Sequence, residues 1–428
     1  MGTGTAHAAL RHPQAEDPGT DRAVRLAARH GRLPDRRQAG RRAAALDAGR
    51  RVPGTGSLAP QPAGGGGRTT AGSGGRVRAV RADHPAGRQE AEIPVTVDLT
   101  WTGSQFLDPV AHAAQIATAL GTVDLTTKDE TWCTAVAAAC ARYFGLPDGS
   151  VRVAAGATQL IEVLLRKHYR GLVVDVAPGF HLTATICAQA GWRRVAVSVR
   201  EPEELLPALE PYLIQPEAVI SLSSPRNPLG YQFSPATIST LLERARGVVV
   251  LDEVYADFAD FSALSLIREY PNLYVVRTFS KAWGLANLRI GFAASAAFEA
   301  GATIPLIPNA VSGIAQRAAS HLLAYPDSVV ESISAARKSR DRMIAVLGGI
   351  PNLRVWPSQS NYLCLETPLA GALAACLAEI GYPVRLLHDL SGYPADFPVG
   401  IRLTVPRPPH DDAVLDMIAA VHDRAVTR

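Results

Sequence analysis

Lysine is scarce in this 428-residue chain, which carries only Lys128, Lys167, Lys281 and Lys338. A covalent amine therefore has few places to reside. Lys281 stands outside the ordinary polar helices and loops: it follows the apolar run LYVVRTFS and sits within TFSKAWGLANLRIGF. A lysine at the end of a buried strand is desolvated, which favours the neutral amine and imine chemistry with a carbonyl. Taken singly, a lysine is more often a solvated surface group, so its neighbours decide the reading.

Those neighbours are specific. Asp252 ends the Val-rich run VVVLD, and a buried carboxylate needs a cationic partner. A protonated pyridine nitrogen is such a partner, and the pair keeps the ring an electron sink for carbanion chemistry. Tyr255, three residues on, could reach a phenolic oxygen of the same ring; alone, Asp252 reads equally well as a cap of the segment that follows. Asn227 lies in the turn SSPRNPLG after another apolar run, which places it at the carboxyl edge of a sheet, where open α/β folds bind ligands. GATQLIEVLL opens a helix with small residues, so the amides of Ala157 and Thr158 could hold a phosphate, joined by Thr278, Ser280 and the guanidinium of Arg289. Phe180, in VAPGFHLT, could stack on a ring or simply fill the core. An amine, a pyridinium partner, a phenol partner and a phosphate cradle together describe a site for pyridoxal 5′-phosphate, held as a Schiff base on Lys281.

The elements that must position these groups alternate along the chain. Short apolar strand candidates occur at VRVAAG, GLVVDVAP, RRVAVSV, AVISLSS, GVVVLDEVY, LYVVRTFS and RIGFAAS, with helical stretches such as TQLIEVLLRKHY, HLTATICAQAG and SPATISTLLERAR between them. Ser234 is the expected N-cap of the last of these helices. This alternation predicts an α/β domain with a mostly parallel central sheet flanked by helices. After residue 304 the pattern becomes α+β: helices from Ala310 to Leu347, then LRVWPSQSNYLCLE, a helix from Ala370, YPVRLL, GIRLTVP and a final helix.

Taken in order, GATQ, PGF, SSPRNPLG, DEVYADF, TFSKAWGLANLRIGF, SQSNY and GIRLTV resemble the signature blocks of fold-type I pyridoxal-phosphate enzymes of aminotransferase class I/II. In particular they are similar to the histidinol-phosphate aminotransferase-like group. The resemblance covers most of residues 130 to 410. It implies that Lys281 carries the cofactor and moves the substrate's α-proton, that Asp252 pairs with the pyridine nitrogen, and that Asn227 and Tyr255 bond the phenolic oxygen. It assigns the phosphate to Arg289, Ser280, Thr278 and the amides of Ala157 and Thr158, and the stacking position to Phe180. Arg402 matches the arginine that binds an anionic group of the substrate, and Asn361 lies in the matching SxxN[FY] block. A homodimer with sites at the subunit interface is implied by the same analogy.

Two departures bear on the substrate. Where the histidinol-phosphate enzymes end the block SxxNFxxxR in a phosphate-gripping arginine, SQSNYLCLE places Glu366, an acid that would repel a phosphate and attract a cation; it could equally be a surface residue. Where the family has an Asn-Glu-Asn-Pro-like stretch, this chain reads VDLTWTGSQFLDP, with Trp101 and Gln105 as candidates to line a differently shaped pocket. The expected reaction is transfer of an amino group between an amino acid or amine and a 2-oxo acid. The alternative is a decarboxylase, cyclase or β/γ-eliminating enzyme on the same cofactor.

Composition narrows the classes. Of 43 basic and 39 acidic residues, 16 and 8 lie in the first 92, leaving 27 against 31 over residues 93 to 428. The body is mildly acidic, without a nucleic-acid footprint. Five cysteines form no CxxC pair, and no run approaches a membrane span or a signal sequence, so a cytoplasmic protein is expected. No HExxH, GxxxxGK[ST] or GxGxxG is present, which argues against a metalloenzyme, an NTPase and a dinucleotide enzyme. Residues 1–92, rich in Arg, Ala, Gly and Pro, are expected to be a disordered or mis-assigned N-terminal extension, a basic tail for an acidic partner being the other reading. Residues 93–130 would join the small domain and the substrate entrance, 131–303 would form the large cofactor domain and 304–428 the small domain.

Overall fold

The computed structural model describes residues 96–121, 123, 124, 126, 127 and 133–426; the expected extension over 1–92 lies outside the described residues. Seven strands form the larger sheet: β1 (Val151–Ala154), β2 (Leu172–Ala177), β3 (Arg194–Ser198), β4 (Ala218–Ser223), β5 (Val248–Asp252), β6 (Leu273–Thr278) and β7 (Gly291–Ala294). Each coincides with an apolar run read from the sequence. Their order is β1-β7-β6-β5-β4-β2-β3, parallel throughout except that β7 runs antiparallel to both its neighbours. The continuous apolar runs are explained by burial on both faces, as crossover helices require: every residue of β2, β4 and β6 is buried.

Because β4, β5 and β6 are parallel neighbours, their carboxyl ends meet at one edge. Ser223 stands beside Asp252, and Asp252 beside Val276, two residues before Thr278. The loops carrying Asn227, Tyr255 and Lys281 therefore leave the sheet side by side.

Four further strands form an antiparallel sheet in the order β10-β11-β9-β8: β8 (Arg354–Val355), β9 (Tyr362–Glu366), β10 (Arg385–Leu386) and β11 (Gly400–Thr404). Its core of Leu363, Leu365, Ile401 and Leu403 also takes in Leu99, and the N-terminal segment is tied to it by Val97 N to Gly381 O and Leu99 N to Pro383 O. The core of the larger sheet runs past residue 304: Val311, Ala315, Leu322 and Ala336 belong to it. The helical stretch read over 310–347 is two helices, Gly313–Ala324 and Asp327–Leu347, with Pro326 between them; proline cannot continue the first. Ser234 caps Pro235–Arg244 by accepting from Thr237 N.

Beneath the carboxyl edge, Arg277 of β6 lies between two carboxyls. It donates to Glu253 Oε2 (3.4 Å), Ser262 Oγ (3.1 Å) and Asp257 Oδ1. Glu253 is also held by Ser262 Oγ at 2.5 Å and Ala263 N at 2.6 Å. Burial pushes both acids above the usual carboxylate range and Arg277 opposes the push. Removing this cation would leave two buried acids without the charge that opposes theirs. Arg277→Met is expected to lower unfolding stability by about 3–5 kcal/mol, read as a lower urea midpoint at unchanged slope; an unchanged midpoint would show that the ion pairs carry no net stability.

Candidate active site

Lys281 directly follows the turn Phe279–Ser280 at the end of β6. Thr278 shapes that turn, its Oγ1 accepting from Ser280 N at 3.1 Å. The Lys281 side chain is half-buried. Its Nζ donates to Thr102 Oγ1 at 2.5 Å and lies 5.3 Å from the centre of the Tyr255 ring. Thr102 Oγ1 also shares a hydrogen bond of 2.9 Å with Tyr255 Oη. Lysine, threonine and tyrosine thus form one chain of polar atoms.

Asp252 is 7% exposed and accepts from Val254 N at 3.1 Å. Burial pushes its carboxyl up to about 7, against the pull of the Val254 amide and the Lys281 charge. Among the described residues the other buried carboxylates each have an arginine within 4 Å: Asp175 has Arg194, Glu253 has Arg277, Glu366 has Arg200 and Asp411 has Arg342. Asp252 has none. A buried acid with no cation within 4 Å is costly and fits a site whose cation arrives with a ligand. A protonated pyridine nitrogen meets that description.

The phosphate end is equally well matched. The helix Gly156–His168 starts with Gly156 at φ +86°, and no side chain caps its first amides. Arg289, itself at φ 51°, approaches so closely that a β-carbon on Gly156 would stand 3.1 Å from Arg289 Nη2. At Gly291 a β-carbon would stand 2.7 Å from Arg277 O and 3.0 Å from Ala157 N. The two glycines let β7 and the guanidinium lie against the helix start, where backbone amides and the helix dipole favour an anion. Ala157 and Thr158, in the first turn of this helix, are half-buried, as is Ser280 in the turn after β6. Phe180 is also half-buried, before the helix Leu182–Ala190, and packs on the cluster containing Leu160 and Ile186.

Arg402 on β11 donates to Asn227 Oδ1 at 3.0 Å and Thr100 O at 2.8 Å, while its Nε is buried without a partner. Asn361 donates to Thr102 O and Gly103 O, and Tyr362 packs edge-on against Tyr255 at 5.0 Å. The small sheet, the N-terminal segment and the carboxyl edge of the larger sheet thereby converge on one place.

Glu366 is a correction. Read as an acid facing the substrate, it is turned elsewhere: its carboxylate accepts from Arg200 Nη2 at 3.0 Å and Trp356 Nε1 at 2.8 Å, with Arg354 at 3.9 Å. Glu366 shares a face of β9 with Tyr362 but lies four residues, roughly 13 Å, farther along the strand, where Arg200 and Arg354 take up its charge. The alternative of a surface residue fails as well, since Glu366 is buried. Of the two pocket candidates, Trp101 is 69% exposed and Gln105 donates to Asp98 O. Thr102 escaped the sequence reading. Its signal was position alone, within the stretch that departs from the family's Asn-rich pattern.

Among the described residues no group of three or more His, Cys, Asp or Glu side chains could hold a metal, no helix is long and apolar enough to cross a membrane, and Cys140, Cys187, Cys364 and Cys376 are thiols outside any disulfide.

Comparisons with known proteins agree with this geometry. Residues 109–385 match the family described as Aminotransferase class I and II. The chain is 31% identical to a histidinol-phosphate aminotransferase of Roseiflexus castenholzii over 307 residues, spanning 67% of this chain and 79% of the relative. It is 34% identical over 264 residues to one of Chlorobium luteolum, spanning 60% and 72%. The crystal structure of the Sinorhizobium meliloti histidinol-phosphate aminotransferase in complex with pyridoxal 5′-phosphate superposes with a TM-score of 0.65, covering 77% of this chain and 92% of that one at 23% identity.

Proposed function

Starting from the fact that this chain belongs to the class I and II aminotransferases, enzymes dependent on pyridoxal 5′-phosphate, we propose a residue-by-residue division of labour for moving an amino group between an amino acid or amine and a 2-oxo acid. The observation that carries it is Asp252, the buried carboxyl without an arginine. The cofactor, when bound, supplies the electron sink that accepts the pair left when the substrate's α-hydrogen departs.

Every other role falls to the chain. Asp252, at the end of β5, supplies the negative charge that keeps a pyridine nitrogen protonated. Tyr255 and Asn227 present polar atoms toward the ring's phenolic oxygen. The amides of Ala157 and Thr158, with Thr278, Ser280 and Arg289, offer a dianion charge-assisted and amide donors. Phe180, half-buried at the edge of its cluster, would stack on the ring. Lys281 Nζ would hold the cofactor covalently and, when free of it, would take and return the α-proton; proton transfer by a positioned side chain is worth about 10²- to 10⁴-fold. Arg402, held on one edge by Asn227 and Thr100, orients the substrate through its carboxylate. The division into a cofactor-binding large domain and a small domain carrying Arg402 is part of the same reading, as is a homodimer. The latter is supported by the helix Pro109–Leu120, an apolar stretch in which no residue is buried; a single-chain mass in solution would overturn it.

Mixing the cofactor-loaded protein with candidate amino acids tests the proposal. Conversion of the bound cofactor to its pyridoxamine form, reversed by a 2-oxo acid, is the expected result. Release of carbon dioxide or ammonia without that form would overturn it.

A further inference from the structure

The segment 100–103 is tied down with unusual completeness. Four successive carbonyls each receive a side-chain hydrogen bond: Thr100 O from Arg402 Nη2 at 2.8 Å, Trp101 O from Thr404 Oγ1 at 2.8 Å, and Thr102 O and Gly103 O from Asn361 Nδ2 at 3.2 and 2.9 Å. Arg402, Thr404 and Asn361 are all buried. With Leu99 O also accepting from Thr404 N, the backbone at Thr102 is held on both sides. What this rigidity delivers is one hydroxyl, Thr102 Oγ1, at 2.5 Å from Lys281 Nζ and 2.9 Å from Tyr255 Oη.

We propose that Thr102 is a positioning residue for the lysine: its hydroxyl holds the unattached amine of Lys281 beside Tyr255, ready to bond the cofactor's aldehyde and to be received again each time the substrate displaces it. The inference rests on Lys281 being the point of attachment. A lysine side chain has four rotatable bonds, and fixing them in advance lowers the cost of reaching a reacting geometry. Since Thr102 Oγ1 accepts from Nζ, its own hydrogen can go to Tyr255 Oη. The Tyr255 hydrogen is then left to donate toward the ring's phenolic oxygen. Asp252, at the end of β5, is an acid whose charge acts on the amine. The covalent step balances without a further reagent. The Nζ lone pair forms a C–N bond to the aldehyde carbon, and the aldehyde oxygen leaves as water with the two amine hydrogens.

Capture kinetics separate this role from mere packing. The full-length chain, freed of cofactor, is mixed with pyridoxal phosphate and the absorbance of the lysine-bound form is followed; affinity for pyridoxamine phosphate, which makes no bond to lysine, is measured in parallel. Thr102→Val is expected to slow covalent capture about tenfold, the effect of losing one hydrogen bond of moderate strength, while Thr102→Ser stays within about twofold of the wild type. Pyridoxamine phosphate affinity should be the same in all three. Capture by the valine variant at the wild-type rate would overturn the proposal. So would equal weakening toward both cofactor forms, which marks a folding defect, or failure of serine to restore the rate. Lys281→Ala serves as the separate control: covalent capture that persists there would sink the lysine assignment itself, whatever the threonine variants do.

Discussion

Lys281→Ala is expected to abolish the borohydride-stable link between cofactor and chain and to lower turnover by about 10,000-fold or more, since covalent attachment and proton transfer are lost together. The loss should be chemical rather than structural. The side chain is half-buried and makes one described hydrogen bond, to Thr102, so the variant should unfold at nearly the wild-type temperature. Intact mass after reduction reads the link, and single-turnover kinetics read the proton step. Labelling that persisted at another lysine would refute the assignment. Lys167 and Lys338 lie in the helices Gly156–His168 and Asp327–Leu347, so either would be conspicuous in a peptide map.

Asp252→Asn should slow the α-proton step by roughly 150- to 5,000-fold, the equivalent of the 3–5 kcal/mol that breaking a buried charge pair costs. The pH dependence of stability gives a second and independent reading. In the cofactor-free chain the folded Asp252 carboxyl is pushed up to about 7 from its ordinary 3.8. Between those values the folded chain holds a proton that the unfolded chain has released, so this group's contribution is fully present at acid pH and is lost as pH rises toward 7. A cation docked beside Asp252 removes the penalty. Stabilisation by added cofactor should therefore grow from pH 5 to pH 7.5 in the wild type and stay flatter in Asp252→Asn. Parallel curves in the two proteins would mean that Asp252 does not face the cofactor's cation.

Much of this arrangement could be read from the chain because its determinants are local. A strand buried on both faces is mostly apolar, so β2, β4, β5 and β6 stand out as runs rich in Val, Leu and Ile, the buried Asp175 and Arg277 being ion-paired exceptions. Their ends are marked by the first residues with chemistry to offer: Asp252, Thr278 and the Ser-Pro-Arg-Asn-Pro turn. Parallel strands bring their carboxyl ends to one edge. Knowing the strands therefore suffices to gather Asn227, Asp252, Tyr255 and Lys281. Gly156 and Gly291 carry no such local signal, because the need for a bare α-carbon arises only when Arg289 and Ala157 N close in.

The rest depended on where distant parts of the chain return. Lys281 meets Thr102 across 179 residues, Arg402 meets Asn227 across 175, and Glu366 meets Arg200 across 166. None of these pairs leaves a periodicity or a spacing in the sequence. A hydroxyl becomes a lysine's acceptor, and an acid a structural ion pair rather than a substrate contact, only through the packing of one sheet against another. Residue types and strand ends thus told what chemistry the chain could perform and at which edge. Which side chains hold the amine, and which carboxylates are already neutralised, was decided by tertiary contact, because a side chain's partner and desolvation are properties of its surroundings and not of its neighbours in sequence.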